Sequence, residues 1–404
     1  MAAPRELPAV PQQLLPREAY IDDAWCERER HELFANTWSF AGVTYDWNEA
    51  GDFKTVQVGP YPLFVLRNKK GELQAFHNLC RHRGTELFEG CGNTGRSIVC
   101  PYHTWTYDLD GTFRGMPKET TCFPDIDKTT LNLKPASLGV FKGLVFVHPS
   151  AQPDESFETW LADLPDHAWP HDITSPALHE SGADVIYEMK CNWKVFFENA
   201  IDGYHLAYLH KNTLGGPVAD KNLWEVRGRH LVWYSTEQDG TKNRLPKMVE
   251  DNYADYKGTR VEGADEPGYG GVYMLFPDIV ITASPYSFSI STLEPVDANT
   301  TLLKLRMWSA KKWSRAKDRA KEIPGYDPES GRIKSSHWKV HPLETGDFQT
   351  EDVWVCEKMQ RSLRSPAYQV SHLARGAGGE ASLTFFQQCV LDYVPLDTMR
   401  AAAE

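Results

Sequence analysis

The chain predicts an α+β protein in two parts, an all-β module followed by an antiparallel sheet bracketed by helices. Three observations carry that prediction. Short alternating apolar runs, separated by Gly, Pro, Asn and Asp turns, fill the span from Gly51 to Phe146. A stretch punctuated by Pro149, Pro153, Pro165, Pro170 and Pro176 follows and reads as a connection. Beyond Gly182, strand patterns lie between two helical ones, Trp193–His210 and Glu351–Leu363.

Ahead of the module, Trp25, Leu33, Phe34 and Trp38 are spaced for one helical face, which predicts an N-terminal helical segment over residues 1–45. The β module takes 46–155, with strands at Thr55–Val58, Leu63–Arg67, Leu73–His77, Ser97–Cys100 and Leu144–His148. A second domain, 156–404, has strands at Val185–Met189, Leu223–Tyr234, Gly271–Leu275, Ile279–Ala283, Ser287–Leu293 and Thr300–Trp308. In its last strong helix, Val353, Val355, Met359 and Leu363 form the expected buried side. Two polar stretches, about 236–271 and 311–340, are too long for tight turns and have the length of lids or partner-contact loops.

At 404 residues, 41% apolar and 12% aromatic, the chain suits two or three domains with sizeable cores. A net charge of −12 argues against general affinity for nucleic acid or anionic membranes, both of which need a cationic face. The opening Met1-Ala2-Ala3-Pro4-Arg5-Glu6 carries an acid early and no apolar h-region follows, so no signal peptide is expected. No window approaches the ~18 uninterrupted apolar residues of a membrane span. Eight cysteines scattered over a chain of this size read as reduced thiols and metal ligands. The expectation is a cytoplasmic protein.

The densest chemistry lies in Cys80-Arg81-His82-Arg83-Gly84 and Cys100-Pro101-Tyr102-His103. Each half pairs a thiol with an imidazole beside turn-forming Gly or Pro. Two such loops offer two sulfur and two nitrogen ligands, which either a tetrahedral zinc or a [2Fe–2S] cluster of mixed ligation would accept. Zinc sites commonly keep like ligands together in Cys-x₂₋₄-Cys and His-x₃₋₅-His pairs. Here each motif holds one of each, Cys-x-His then Cys-x₂-His, with 17 residues between. With Asn78-Leu79 before and Trp105 to Gly111 after, the pattern closely resembles the Rieske signature. Thr104 departs from it, standing where many members of that family have Gly. Cys91 and Cys122 read as bystander thiols.

A second constellation runs from Asn192 to His210 and contains Glu198-Asn199 and Asp202-Gly203-Tyr204-His205-x₄-His210. Histidines five apart stand ~140° apart around a regular helix, so one metal can use both only if the helix is distorted or ends. Gly203 supplies a place for that irregularity. Asp202 precedes His205 by three residues, where a carboxylate can accept the free N–H of a metal-bound imidazole. A facial triad needs one more carboxylate. The run Gln349 to Glu357 offers Asp352, with Glu351 as its competitor. Alternatively, both acids simply charge the first turn of a helix.

Together the motifs resemble the catalytic (α) subunit of a Rieske non-haem iron aromatic ring-hydroxylating oxygenase, over nearly the whole chain from Leu15 to Asp392. The resemblance implies a [2Fe–2S] cluster on Cys80, His82, Cys100 and His103. It also implies a mononuclear Fe(II) on His205, His210 and Asp352 that activates O₂, inside a helix-grip type catalytic domain. Asp202, Asn199 and Tyr204 are then the candidate catalytic residues. Leu206, Leu209, Ile281, Phe288 and Phe348 are candidates for the substrate pocket. No Gly-rich dinucleotide fingerprint follows a strand, so NAD(P)H would be oxidised by a separate flavin reductase, with or without a ferredoxin. The family also implies a head-to-tail homotrimer in which Asp202 lies between His205 and a neighbour's His103, joined in some relatives by small β subunits.

The leading functional reading is hydroxylation, chiefly cis-dihydroxylation, of a small aromatic. The Asp202-Gly203-Tyr204-His205 string favours it over the quaternary-amine demethylases, which tend to carry Glu-Cys before Tyr-His. The alternative is a monooxygenase performing oxidative N- or O-demethylation, a group that also shows a non-Gly residue after the second cluster histidine. A stand-alone Rieske electron carrier is a third reading, opposed by the second set of ligands.

Overall fold

The computed structural model describes residues 6–164, 173–174, 178–180, 184–213, 224–235, 270–284, 287–309, 319–376 and 378–396. The expected loop at about 236–271 lies almost wholly outside the described residues, as do the first part of the 311–340 stretch and Pro165, Pro170 and Pro176. The chain divides into two compact units. One comprises residues 29–161 and 172–174, the other residues 1–28, 162–171 and 175–404.

The first unit is all-β, as its alternating runs predict. Its larger sheet runs in the order Ser39–Val43, Leu144–His148, Pro135–Phe141, Leu73–His77, Tyr61–Arg67, Asp52–Val58, Cys91–Asn93. The expected Ser97–Cys100 strand is shorter, Ile98–Val99, and pairs with Thr106–Tyr107, which pairs with Phe113–Gly115. A core of Phe64, Phe76, Ile98, Trp105, Tyr107 and Phe113 includes Cys80 and Cys100. The small sheet is thereby anchored beneath the two motif loops.

The second unit is built on one long sheet, antiparallel except where Val185–Met189 runs parallel to Arg332–Lys334. Its centre is the ladder of Ile279–Ser284, Ser287–Asp297 and Thr300–Ser309. The expected strand Leu223–Tyr234 is instead a hairpin of Glu225–Arg227 and His230–Ser235, turning at Gly228 with φ +61°.

Two helical expectations need correction. The predicted helix Trp193–His210 breaks after Ile201, with Asp202 in extended conformation, and resumes only as the short helix Leu206–Leu209. The late helix spans Phe348–Leu363 and starts on Asp347, whose carboxylate accepts the Thr350 N–H at 2.7 Å. Its buried side is not the predicted apolar stripe. Met359 is exposed, while Glu351, Asp352, Glu357 and Gln360 are buried with Val353, Cys356 and Leu363. These polar residues are partnered: Glu357 accepts from Lys190 N–H at 3.0 Å and Gln360 from Asn192 N–H at 3.1 Å. A further helix, Ala381–Tyr393, was not predicted. It is buried along most of its circumference and therefore lacks a polar face to mark its period.

Candidate metal centres

The two loops of the first unit are built alike. After Leu73–His77, Cys80 N–H donates to Thr85 O at 2.8 Å and Gly84 N–H returns to Cys80 O at 3.0 Å. After Ile98–Val99, Cys100 N–H donates to Trp105 O at 2.9 Å and Thr104 N–H returns to Cys100 O at 3.0 Å. Gly84 and Thr104 occupy equivalent left-handed positions, with φ of +76° and +54°. The departure from glycine at position 104 therefore places a β-branched residue where glycine is favoured, at a cost of ~1–2 kcal/mol. The Thr104 side chain points to solvent.

These turns bring the four expected residues together. His82 Nδ1 and His103 Nδ1 lie 3.2 Å apart, and the Cys80 thiol neighbours that of Cys100. Two nitrogens sharing one metal at bonds of ~2.1 Å stand about 3.0–3.4 Å apart, so the imidazole pair fits one iron and the thiol pair the other. Tyr107 adds a contact not anticipated from the sequence. Its hydroxyl lies 3.3 Å from Cys80 Sγ and accepts the Arg81 N–H at 3.0 Å. His82 stacks on Trp105 with ring centroids 4.8 Å apart. Burial, together with the neighbouring His103, holds His82 below the usual histidine range, favouring the neutral ring a metal needs. The sulfurs are buried, whereas Tyr102 beside His103 is 55% exposed.

In the second unit, the break at Asp202–His205 solves the angular problem of the two histidines. Asn192 caps the Trp193–Ile201 helix by accepting the Lys194 N–H at 3.1 Å. Asp202 then turns the chain by accepting the Tyr204 N–H at 2.7 Å. His205 Nε2 and His210 Nε2 consequently face each other at 3.2 Å. Asp352 Oδ1 lies 3.5 Å from the first and 3.0 Å from the second, and all three ligand atoms fall within 4.8 Å of one another. Two imidazoles and one carboxylate on one side of a point form a facial triad.

Behind the triad stand two carboxylates and an amide. Asp202 Oδ2 lies 3.3 Å from His205 Nδ1. Glu351, weighed as a ligand, is instead on the far side of His210, accepting from Nδ1 at 2.7 Å. Asn199 donates to Asp352 Oδ1 at 2.9 Å. Burial alone would lower the basicity of His205, but Asp202 and Asp352 raise its pKa to about 9. Burial pushes Asp352 up, yet the two imidazoles outweigh it and bring it to about 2.

Other expected residues are less central. Tyr204 offers its N–H to Asp202, while its ring packs on Tyr208 and is 53% exposed. Leu206 and Leu209 are half-buried on the short helix between the histidines. Phe348 meets the His210 ring edge-on, centroids 6.2 Å apart. Ile281 and Phe288 are buried in the sheet, Ile281 paired with Ile290 and Phe288 packed on Trp308.

Residues 177–396 match the family of ring hydroxylating alpha subunits (catalytic domain), and residues 37–131 match the Rieske [2Fe-2S] domain. The chain belongs to the Rieske ring-hydroxylating oxygenases. This oxygenase carries a Rieske [2Fe–2S] cluster and a mononuclear iron, and its family works with an electron-transfer partner. It is 26% identical over 387 residues to the glycine betaine monooxygenase oxygenase subunit of Pseudomonas aeruginosa, covering 88% of this chain and 83% of that one. It is 31% identical over 217 residues to the anthranilate 1,2-dioxygenase large subunit of Acinetobacter baylyi, covering 53% and 46%. Its fold matches the quaternary ammonium Rieske monooxygenase CntA solved with L-carnitine, at a TM-score of 0.70 and 21% identity over 94% of each chain. Among the described residues, no helix is long and apolar enough to cross a membrane.

Proposed function

We propose that this oxygenase is a monooxygenase that hydroxylates a C–H bond beside the nitrogen of a small quaternary ammonium compound, leading to oxidative N-demethylation. The observation that carries the reading is the likeness to a glycine betaine monooxygenase subunit over 88% of the chain, against 53% for the anthranilate enzyme. It replaces aromatic cis-dihydroxylation as the leading reading. A net charge of −12 also favours the approach of a cation over that of an aromatic carboxylate.

In this reading Cys80 and Cys100 hold one cluster iron, His82 and His103 the other, and His205, His210 and Asp352 hold the mononuclear iron. When bound, the two centres supply single electrons and O₂ activation. The protein's own groups orient and insulate: Asp202 and Glu351 fix the imidazoles, Asn199 fixes Asp352, and Phe348 walls the side of His210. The reaction balances as R–CH₃ + O₂ + 2 e⁻ + 2 H⁺ → R–CH₂OH + H₂O. When R ends at quaternary nitrogen, the hydroxyl then gives up its proton to solvent as its oxygen forms the C=O bond, and the N–C bond breaks with its electrons on nitrogen, releasing formaldehyde, a tertiary amine and H⁺.

Electrons come from NAD(P)H through a flavin reductase, directly or by a ferredoxin, and the working unit is a head-to-tail homotrimer. There Asp202 bridges His205 and the His103 of a neighbouring copy. Aromatic dihydroxylation remains the second reading because of the Asp202-Gly203 pair preceding Tyr204-His205. Turnover with ¹⁸O₂ across a panel of betaines, choline, carnitine and aromatic carboxylates separates the two. Formaldehyde or one labelled oxygen in an amine product supports monooxygenation; two labelled oxygens in a ring diol overturn it.

A further inference from the structure

We infer that Glu351 is the positioning residue that sets how tightly the mononuclear site holds its metal, a role separate from that of Asp202; this rests on His205, His210 and Asp352 being the ligands. Neighbouring residues on a helix point ~100° apart, so Glu351 and Asp352 cannot both present oxygen to one point. The Phe348–Leu363 helix resolves this by sending Asp352 to the Nε2 side of His210 and Glu351 to its Nδ1 side.

Glu351 is fully buried, and its Oε2 accepts two hydrogen bonds, from His210 Nδ1 at 2.7 Å and from Thr213 Oγ1 at 2.8 Å. Its Oε1 has no hydrogen-bond partner among the described residues. A buried carboxylate with one unpartnered oxygen is costly unless a nearby positive charge offsets it. A metal on the Nε2 face of His210 would supply that charge. The acceptor on Nδ1 also keeps the proton there, so Nε2 is left free as the donor atom.

The other imidazole has a weaker brace. Asp202 lies 3.3 Å from His205 Nδ1 and is partly exposed, so its field is more screened than that of Glu351. The Thr213 hydroxyl is the second element of the stronger brace. Its bond to Oε2 aims the carboxylate at His210 rather than at solvent.

The test is anaerobic ferrous-ion titration of protein stripped of mononuclear iron but retaining its cluster, with the nitric-oxide adduct read by EPR. Glu351→Gln preserves volume and should weaken ferrous binding by about 10–100-fold and alter the adduct's rhombicity, leaving the Rieske spectrum unchanged. Thr213→Val should shift both readouts the same way by a smaller factor, and Asp202→Asn should shift affinity less than Glu351→Gln. Wild-type affinity and an unchanged EPR signature in both Glu351→Gln and Thr213→Val would overturn the inference. If His210→Ala also bound iron as tightly as wild type, the ligand assignment beneath it would fall instead.

Discussion

The two metal sites obtain their geometry in opposite ways. The cluster site is local: Cys80 to His103 form two turns with the same hydrogen-bond plan, each fastened to a short strand. The iron site is assembled at a distance, from a helix that stops at Ile201 and another that begins at Phe348. The first site stores its strain in the backbone, at Thr104 with φ +54°. The second stores its cost in buried carboxylates, Glu351 against His210 and Asp352 against both His205 and His210. Turns can specify a ligand set by spacing alone, whereas a helical site depends on where helices break and how they face each other.

The largest expected effects come from separating the sites. Asp352→Ala should abolish turnover and mononuclear iron while leaving the Rieske absorption intact. His82→Ala should abolish the Rieske EPR signal while ferrous ion still binds the second site. A single substitution that emptied both centres would show that the sites are not independent, and metal analysis with EPR decides it. Asp202→Asn should keep both metals yet slow turnover by on the order of a hundredfold. Single-turnover reoxidation of the reduced cluster tests this, and a wild-type rate would reduce Asp202 to the cap of its turn.

Smaller effects should sort by the kind of cost each site bears. Thr104→Gly relieves left-handed strain at an exposed side chain and should stabilise the protein by up to about 1 kcal/mol, measured by urea unfolding. In the second unit, burial raises the Glu198 carboxyl to about 7, against hydrogen bonds from Tyr20 and Gln387 that lower it. The folded state therefore keeps a proton that the unfolded chain releases near 4.5. Stability from this group is present below 4.5 and is lost as pH rises through about 7. Glu198→Gln should gain on wild type over that window, by on the order of 2 kcal/mol at pH 8, and run parallel above it. Unfolding midpoints from pH 5 to 8 check the crossover.

The contrast also explains what could be read from the residues alone. The meeting of Cys80, His82, Cys100 and His103 was legible because all four lie within two turns whose spacing is itself the signal. His205 and His210 were legible only with Asp202 and Gly203 beside them, since the break that lets them converge is a tertiary feature. The adjacent acids were separable in identity but not in role. Glu351 was expected to be a minor competitor, and it proves to brace His210, because the facing of Phe348–Leu363 is set by partners as far away as Lys190 and Asn192. The helix Ala381–Tyr393 escaped because burial on most sides erases amphipathic period. Tyr204, expected near the chemistry, turns its ring outward beside Tyr208.

Whether oxidation falls on a C–H bond beside a quaternary nitrogen is decided by one mixing experiment. Protein with a reduced cluster and ferrous mononuclear site is mixed with ¹⁸O₂ in the presence or absence of a betaine panel. Cluster reoxidation and released formaldehyde are then followed together. Fast reoxidation is expected only when a quaternary amine is present, with formaldehyde appearing in proportion to the cluster oxidised and the signal lost in Asp352→Ala. Reoxidation triggered instead by an aromatic carboxylate, with both labelled atoms in a ring diol and no formaldehyde, would contradict it.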